Sequence, residues 1–453
     1  MQPGGKSSFY VTFIAASTAV AGLLFGYDVA VVNGALDYVR RDPKFLLSDL
    51  ATEFLTAIVF VGCAFGSILF GWVSDRYGRR VTLLSAGILF CIAAFSAAAA
   101  PSINPLMISR FFAGMALGAT LLVAPLYISE ISPASRRGFL VTLNQLLIVF
   151  GTLVGMIVSF EIARHIPGSW RLMFFLGGLP AIALTIAVTW IPESPRWLLQ
   201  RGERERAEAV LRRLAPESEA QVQATIDDIT RAIREESGTY SELLSKAVRK
   251  PLVIAVMLAI IQQITGFNAV LYYGNIIFKE QTGATAMQSF GMNVVVGATN
   301  FLFTIVGLLL IDKLGRRPLL LIALGGMASS FIAFAICLNT SVGHTIFVLV
   351  PVLCLVASFA FGLGTGVWVC MSELFPNRIR GRALSISNMA LWISVTVLTA
   401  TFLSLTRMFS AAGVFIGYAA ICILSFIYIY FQLPETKNRT LEEIEASWSS
   451  QKA

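Results

Sequence analysis

The sequence predicts an all-α membrane protein with twelve transmembrane helices in two six-helix bundles, and three observations support this. The chain of 453 residues is 56% hydrophobic and 13% charged, with a mean hydropathy of +0.76, whereas soluble domains carry about 25% charged residues. Apolar blocks such as 81–100 and 415–431 are about twenty residues long, the length that crosses a bilayer as a helix. Short motifs of the first half also return in the same order in the second half.

The apolar blocks define the spans, and the basic loops between them set their orientation. Four short loops are rich in Arg and Lys and face the cytoplasm by the positive-inside rule, which puts both termini of an even-numbered bundle inside. The first outer loop opposes this assignment, because it contains Arg40, Arg41 and Lys44. The four basic loops are 75–80, 135–138, 312–317 and 377–382. The predicted spans are 9–36, 49–73, 80–99, 104–131, 136–162, 170–191, 250–279, 287–312, 317–338, 345–372, 380–405 and 411–432.

The segment between the sixth and seventh spans differs in composition from the rest of the chain. It mixes acidic and basic residues, and the stretch RGERERAEAVLRRLA places Glu and Arg at helical spacing. We therefore predict a cytoplasmic helical linker, either a solvated cover for the hinge or a docking surface for regulation. The predicted parts are an N-terminal bundle (1–191), the linker (192–249), a C-terminal bundle (250–433) and a cytoplasmic tail (434–453).

Three charged motifs recur about 240 residues apart, which indicates a duplicated bundle. A duplicated bundle fits alternating access, in which two halves move in turn around a site near the middle of the membrane. Because these charges lie at the inner helix ends, we predict a cytoplasmic gate, the alternative being solvated charges that only signal topology. The predicted gate residues are Asp75, Arg79, Glu130, Arg137 and Glu193 in the first half, with Asp312, Arg316, Glu373, Arg380 and Glu435 in the second.

Asp28 is a carboxylate inside an apolar span, where a charge costs at least about 2.5–3.5 kcal/mol, so it is a functional candidate. Counting helical rise places Asp28 and Arg110 at a similar depth, roughly 9–12 Å below the outer face. Burial disfavours the carboxylate and a nearby guanidinium favours it, so a movement that separates the two promotes uptake of a proton. A static salt bridge that fixes helix packing is the alternative.

A set of amides and aromatic residues approaches the middle of the membrane when counted along the predicted spans. Amides both donate and accept hydrogen bonds, as sugar hydroxyls do, without requiring a counter-ion. One such amide alone is commonly an interhelical hydrogen bond, but the set predicts a site for a neutral polar ligand. Its members are Gln145, Gln262, Gln263, Asn268, Tyr272, Asn300 and Trp392.

Several longer motifs carry a family resemblance over about residues 9 to 443. They include FGYD (25–28), PESPRWLL (192–199), QQITGFNAVLYY (262–273) and PETKNRT (434–440). With these motifs the chain resembles the sugar porter family of the major facilitator superfamily. The resemblance implies the major facilitator fold, and it implies proton coupling at Asp28, because proton-coupled members carry Asp there and facilitative members usually carry Asn.

The resemblance also implies a set of sugar-site residues by motif position. Two positions depart from the family pattern: Thr365 stands where Pro is frequent, and Leu391 stands where Asn or Gln is frequent. The lost amide at Leu391 leaves the identity of the sugar or polyol open. The implied sugar-site residues are Phe25, Gln145, Gln262, Gln263, Asn268, Tyr273, Asn300, Gly364, Trp368 and Trp392.

The predicted function is import of a neutral monosaccharide, a hexose or a pentose, by proton symport across the plasma membrane or a bacterial inner membrane. A facilitative uniporter, a proton-coupled polyol or inositol transporter and a non-transporting sugar sensor are the alternatives. We expect a functional monomer that is not an enzyme and has no cofactor or metal site, since the six cysteines lie in apolar blocks without a CxxC pair. The net charge of +8 comes largely from loop residues that signal topology, so we expect no nucleic-acid partner.

Overall fold

The computed structural model describes residues 5–133, 136–214, 219–235, 242–243, 245–339, 345–375 and 377–437. This part of the chain is almost entirely α-helical, as the sequence predicted. Its helices are α1 (Gly5–Arg41), α2 (Asp49–Tyr77), α3 (Arg79–Ala99), α4 (Ile103–Ile131), α5 (Arg137–His165), α6 (Trp170–Trp190), α7 (Pro195–Gln200), α8 (Arg204–Leu214), α9 (Glu219–Glu235), α10 (Lys246–Ile264), α11 (Phe267–Thr282), α12 (Ala286–Leu314), α13 (Arg316–Asn339), α14 (Thr345–Phe361), α15 (Leu363–Glu373) and α16 (Asn377–Gln432). We call the helix ends next to loops 75–80 and 312–317 the inner ends, following the predicted orientation, and the opposite ends the outer ends.

Eleven helical segments among the described residues are long and apolar enough to cross a membrane. The last of them, Ile379–Gln432, has 54 residues, or about 81 Å of helix, more than twice the ~30 Å core of a bilayer. Its backbone leaves helical geometry at Ser410, with φ of 60° and ψ of 160°. Because two spans meet at this break, the described residues agree with the predicted total of twelve.

Two of the predicted spans, 250–279 and 345–372, contain a break in the helix, although each remains one segment of membrane-spanning length. The first breaks between α10 and α11, where Gly266 has a left-handed φ of 86°. A Cβ atom at Gly266 would lie 2.5 Å from the Tyr418 ring, so the backbone passes too close for a side chain. The second breaks at Gly362, between α14 and α15. Broken helices at lipid depth expose backbone groups that line binding sites in transporters.

The linker forms three short helices, α7 to α9, as its charge spacing indicated. Helix α7 begins with Ser194 as the N-cap, whose hydroxyl accepts from the Trp197 amide at 3.2 Å, followed by Pro195 at the first helical position. The Trp197 indole donates to the Asp75 carbonyl at 2.9 Å. These contacts attach the start of the linker to the inner end of α2.

By packing, the chain forms two compact units. One comprises residues 1–31, 58–155 and 170–237, and the other comprises residues 32–57, 156–169 and 238–453. In the first unit, Phe70, Ala86 and Ala119 form one buried cluster between α2, α3 and α4. In the second, the rings of Phe331 and Phe334 pack against Phe415, which joins α13 to α16. The sequence-based division at 191, 249 and 433 follows the repeat rather than this packing, and it stays a proposal.

Candidate functional site

In the first unit, Asp28 of α1 and Arg110 of α4 form a buried ion pair. Each terminal nitrogen of the guanidinium donates to one carboxylate oxygen, and both distances are 2.6 Å. The Asp28 and Arg110 side chains are 5% and 3% exposed. The guanidinium carbon also lies 5.4 Å from the centre of the Phe174 ring, a cation–π distance. The structure therefore brings together the two residues that the depth argument placed at one level.

Two polar atoms around this pair are buried without a hydrogen-bond partner in the described structure. They are the Arg110 Nε atom and the Tyr27 hydroxyl. Buried polar groups in folded proteins almost always have partners, so each of these two groups can donate a hydrogen bond to a water molecule. Close approach of α1 and α5 holds this region: a Cβ atom at Gly26 would lie 1.8 Å from the Ile148 carbonyl oxygen.

In the second unit, side-chain amides connect the two helix breaks. Asn268, at the start of α11, donates to Gln263 Oε1 at 2.5 Å. Gln263, near the end of α10, donates to Gln262 Oε1 at 3.4 Å, and Gln262 donates to the carbonyl of Leu363, the first residue of α15, at 3.2 Å. We call Gln262, Gln263 and Asn268 the amide chain. It crosses the Gly266 break and ends on the Gly362 break, so both irregular backbone segments share one polar cluster.

The other predicted sugar-site residues of this unit differ in their contacts. Asn300 and Trp392 are buried in α12 and α16, whereas Trp368 is 39% exposed. The Tyr273 hydroxyl donates to the Thr399 carbonyl at 2.5 Å, so this tyrosine contacts helix backbone rather than the amide chain. Gly364 lies in the first turn of α15, directly after the break at Gly362, and a Cβ atom there would meet the Phe359 carbonyl oxygen at 3.4 Å.

Two predicted sugar-site residues, Phe25 of α1 and Gln145 of α5, belong to the first unit. Both are half-buried. The backbones of their helices approach closely, since a Cβ atom at Gly22 would lie 2.5 Å from the Asn144 carbonyl oxygen. The packing of α1 against α5 therefore fixes the positions of both side chains within that unit.

Among the described residues, the inner helix ends of each unit carry one Arg–Glu ion pair of equivalent geometry. Arg79 donates from Nε and Nη2 to the two oxygens of Glu130, both at 3.1 Å. Arg316 donates from Nε and Nη2 to the two oxygens of Glu373, at 3.2 and 2.9 Å. We call these the first clamp and the second clamp. Their matching geometry shows that the repeat read from the sequence is also a repeat of atomic contacts.

The remaining predicted gate residues surround the clamps in several ways. Glu193 accepts from the backbone amides of Arg79 and Arg80 at the start of α3, and Glu435 accepts from those of Arg316 and Arg317 at the start of α13. These two glutamates therefore cap helices rather than pair with guanidinium groups. Asp75 contacts Arg79 at 3.3 Å and Asp312 contacts Arg316 at 2.9 Å, and the side chains of these aspartates are 80% and 79% exposed. Arg380 donates to the Phe375 carbonyl. The side chain of Arg137 lies outside the described part of the structure.

The structure also shows polar residues that the sequence analysis missed. Glu53 of α2 is fully buried, although only Asp28 was expected to lie deep in a span. Asn33 of α1 accepts from the Asn275 amide at 3.0 Å and donates to Asn293 at 3.0 Å. Asn33 and Asn275 are 242 positions apart, the offset that also separates Glu193 from Glu435, so the repeat itself contained the signal for this pair.

No group of three or more His, Cys, Asp or Glu side chains suited to a metal ion occurs within the described ranges. Helices of membrane-spanning length, two of them broken, together with buried polar clusters are the features of a multi-pass membrane transporter for a polar solute.

Comparisons with known proteins agree with this class. The family model described as "Sugar (and other) transporter" matches residues 14–448. The D-xylose-proton symporter of Escherichia coli strain K12 is 35% identical over 478 residues, covering 98% of this chain and 96% of the relative. The plastidic glucose transporter 4 of Arabidopsis thaliana is 34% identical over 451 residues, covering 98% and 82%.

Solved structures give the same result. The inward open conformation of the xylose transporter XylE from Escherichia coli superposes with a TM-score of 0.84 at 31% identity, covering 97% of this chain and 99% of that one. The proton:xylose symporter XylE bound to 6-bromo-6-deoxy-D-glucose has a TM-score of 0.82 at 33% identity, covering 98% and 100%. The chain belongs to the sugar porter family of the major facilitator superfamily. It is a sugar transporter and not an enzyme.

Proposed function

We propose that this protein imports a neutral monosaccharide together with a proton by alternating access. The observation that supports the sugar site is the amide chain, which joins the helix breaks at Gly266 and Gly362 through Gln262, Gln263 and Asn268. Neutral amides match the hydroxyl groups of a sugar, each of which donates and accepts. Buried amides at membrane depth need partners, and a bound sugar can replace the hydrogen bonds that the amides now make with one another.

The proposed coupling site is the Asp28–Arg110 pair. A buried carboxylate stays ionised while a guanidinium pairs with both of its oxygens, and it takes up a proton when that partner moves away. The unpartnered Arg110 Nε atom and Tyr27 hydroxyl supply donors next to the pair. Relatives named as proton symporters, such as the arabinose-proton symporter of Bacillus subtilis strain 168 at 32% identity, support this proposal.

The proposed gate uses the first and second clamps at the inner helix ends. An exposed ion pair contributes only about 0–1 kcal/mol, but a network of pairs can bias a bundle that has two states. In this proposal both termini and the linker α7 to α9 lie on the cytoplasmic side of a plasma membrane or bacterial inner membrane. In this proposal the protein works as a monomer.

A facilitative uniporter is the second candidate, and one observation favours it. Both oxygens of Asp28 are already bonded to Arg110 at 2.6 Å, the geometry expected of a static pair that only fixes α1 against α4. In that case the sugar moves down its own gradient, and the pair stays closed throughout the cycle.

Uptake by proteoliposomes separates these functions. The protein is reconstituted, and uptake of D-xylose, L-arabinose, D-glucose and myo-inositol is measured with and without a proton gradient that is acidic outside. Symport predicts accumulation of at least one sugar above its external concentration only when the gradient is present. Equilibration that ignores the gradient identifies a uniporter, and uptake of myo-inositol alone identifies a polyol transporter. Absence of uptake for the whole panel contradicts the proposal.

A further inference from the structure

Three positive charges at the outer end of α1 opposed the predicted orientation, and the structure places two of them, Arg40 and Arg41, in ion pairs. Arg40 contacts Glu280 of α11 at 3.0 Å and Asp49, the first residue of α2, at 2.5 Å. Lys279 contacts Asp37 at 2.6 Å. These residues all belong to one unit. An ion pair at the outer end of α1 costs less free energy than an unpaired charge there, so the basic residues of the outer loop have a structural role.

Asp49 and Glu53 continue this network along one face of α2. They are four residues apart, so their side chains point in the same direction. On α16, Ser404 and Arg407 are three residues apart and also share a face. Asp49 contacts the Arg407 Nε atom, and Glu53 accepts from both the amide and the hydroxyl of Ser404 at 2.7 Å. We call Asp49, Glu53, Ser404 and Arg407 the outer latch.

The two halves of the outer latch differ in burial. Glu53 is fully buried, and both of its carboxylate oxygens bind the same serine. Each oxygen therefore has a hydrogen-bond partner, and a buried polar group that loses its partner costs free energy. Arg407, by contrast, is 67% exposed, so its ion pair is weaker and is screened by salt. The latch therefore has a strong buried contact and a weak outer contact.

Two helices that never separate do not need a buried carboxylate to hold them together, because apolar side chains join them at a lower cost in free energy. A carboxylate within a transmembrane segment marks a functional position by default. Glu53 lies in the second turn of α2. Its partner Ser404 lies about two turns before Ser410, where the first span of α16 ends. The outer end of α2 belongs to the first sequence repeat and the first span of α16 to the second, so the proposed alternating-access cycle separates them when the outer side opens.

We propose that the outer latch holds α2 to α16 at their outer ends and sets how often they separate during transport. Glu53 is the positioning residue with the larger effect and Asp49 is the weaker, salt-sensitive one. This inference rests on the proposed function for the movement it controls. It assigns a role in the cycle to two carboxylates that contact neither the amide chain nor the Asp28–Arg110 pair in the described contacts.

The test is a distance measurement between α2 and α16 by pulsed electron paramagnetic resonance. Spin labels are attached at Leu50→Cys and Met408→Cys, both exposed positions, with the exposed Cys354 replaced by Ser. Distances are recorded in lipid nanodiscs without sugar for the unmodified latch, Glu53→Gln, Glu53→Ala, Asp49→Asn and Ser404→Ala. The matched control is Thr401→Val, because Thr401 lies on α16 and its hydroxyl donates to Val397 and Leu398 of the same helix.

We expect Glu53→Ala to raise the ratio of long to short distances about tenfold, since two buried hydrogen bonds between α2 and α16 are lost. Glu53→Gln keeps the shape and replaces one carboxyl oxygen by an amide nitrogen, and it gives a smaller rise in the same direction. Ser404→Ala loses the hydroxyl but keeps the amide, so its effect is also smaller. Asp49→Asn raises the ratio at low salt only. Thr401→Val leaves the ratio unchanged.

Glu53→Gln decides the outcome if Glu53→Ala fails to fold. Distributions for Glu53→Gln and Asp49→Asn that match the unmodified latch overturn the proposal, as does an equal change in Thr401→Val. Because these distances are measured without sugar, they are independent of the uptake panel. If uptake fails but the latch variants change the distances, only the proposed function is contradicted. If uptake is normal but the latch variants leave the distances unchanged, only the latch proposal is contradicted.

Discussion

Asp28 accepts one hydrogen bond on each carboxylate oxygen from Arg110, so a single guanidinium fully occupies the carboxylate that we propose as the coupling site. In the proposed symport mechanism, this pair acts as a two-state element. When it is closed, the ionised carboxylate is stabilised, and when it is open, a buried charge is left without a partner unless a proton binds. Proton uptake and helix movement are then linked through one contact.

Replacing Asp28 with Asn is expected to abolish accumulation of sugar driven by a proton gradient. The amide keeps the size of the side chain but does not ionise, so opening of the pair no longer binds a proton. Exchange of labelled for unlabelled sugar, which needs no net proton movement, is expected to continue. Both rates are measured in proteoliposomes. The control is Glu161→Gln, which removes a carboxylate near the end of α5 whose side chain is 48% exposed. Loss of accumulation in this control would contradict the role of Asp28.

Replacing Gln262 with Ala is expected to weaken sugar binding by about threefold to tenfold, the effect of losing one or two hydrogen bonds. Affinity is measured by isothermal titration calorimetry with the sugar that gives uptake. Gln281 supplies a matched control, because it is an exposed amide near the outer end of α11. Equal affinities for Gln262→Ala, Gln281→Ala and the unmodified protein would exclude the amide chain from the sugar site.

The two clamps are expected to differ in their contribution to stability. Arg79 and Glu130 are 5% and 3% exposed, whereas Arg316 and Glu373 are 14% and 27% exposed. Glu130→Gln therefore leaves the more buried arginine poorly paired and should cost about 1–3 kcal/mol, with Glu373→Gln costing less. Thermal unfolding in one detergent gives the order. Asp75→Asn is the control, since Asp75 is 80% exposed. A control that destabilises as much as Glu130→Gln would contradict this ranking.

Glu193 gives a prediction about pH. Burial raises the pKa of its carboxyl above the usual value, and hydrogen bonds from the amides of Ser194, Arg80 and Arg79 offset part of the rise. Because the folded protein then binds this proton more tightly than the unfolded chain, the contribution to stability is present at low pH and is lost as pH rises through the raised pKa. Glu193→Gln is expected to flatten this dependence in thermal unfolding measured between about pH 4 and pH 7. An unchanged pH profile would show that Glu193 does not titrate there.

The sequence was sufficient for the class of fold and for one buried contact. Apolar blocks predicted the spans because the bilayer thickness fixes the helix length, and Ser410 divides the one segment that is too long. Counting rise per residue placed Asp28 beside Arg110 because an α-helix advances by a constant ~1.5 Å per residue. The repeat predicted equivalent charges, and the two clamps show equivalent contacts.

The helix breaks and the outer latch were beyond the sequence analysis for physical reasons. Gly266 and Gly362 are also compatible with a continuous helix, and only the close approach of Tyr418 or Ala323 shows why each break occurs. Glu53 lies near a predicted span end, where a carboxylate is ordinary, and its burial depends on Ser404, 351 positions away. Such contacts depend on how distant helices pack, which periodicity and composition do not determine.

The most direct test of coupling is the pH of a weakly buffered medium around proteoliposomes when sugar is added outside, with no proton gradient imposed beforehand. Symport through the Asp28–Arg110 pair predicts that the external medium becomes alkaline as sugar enters, and that Asp28→Asn removes this signal. Sugar entry at the normal rate with no change in external pH, for a sugar that the protein transports, would contradict the account.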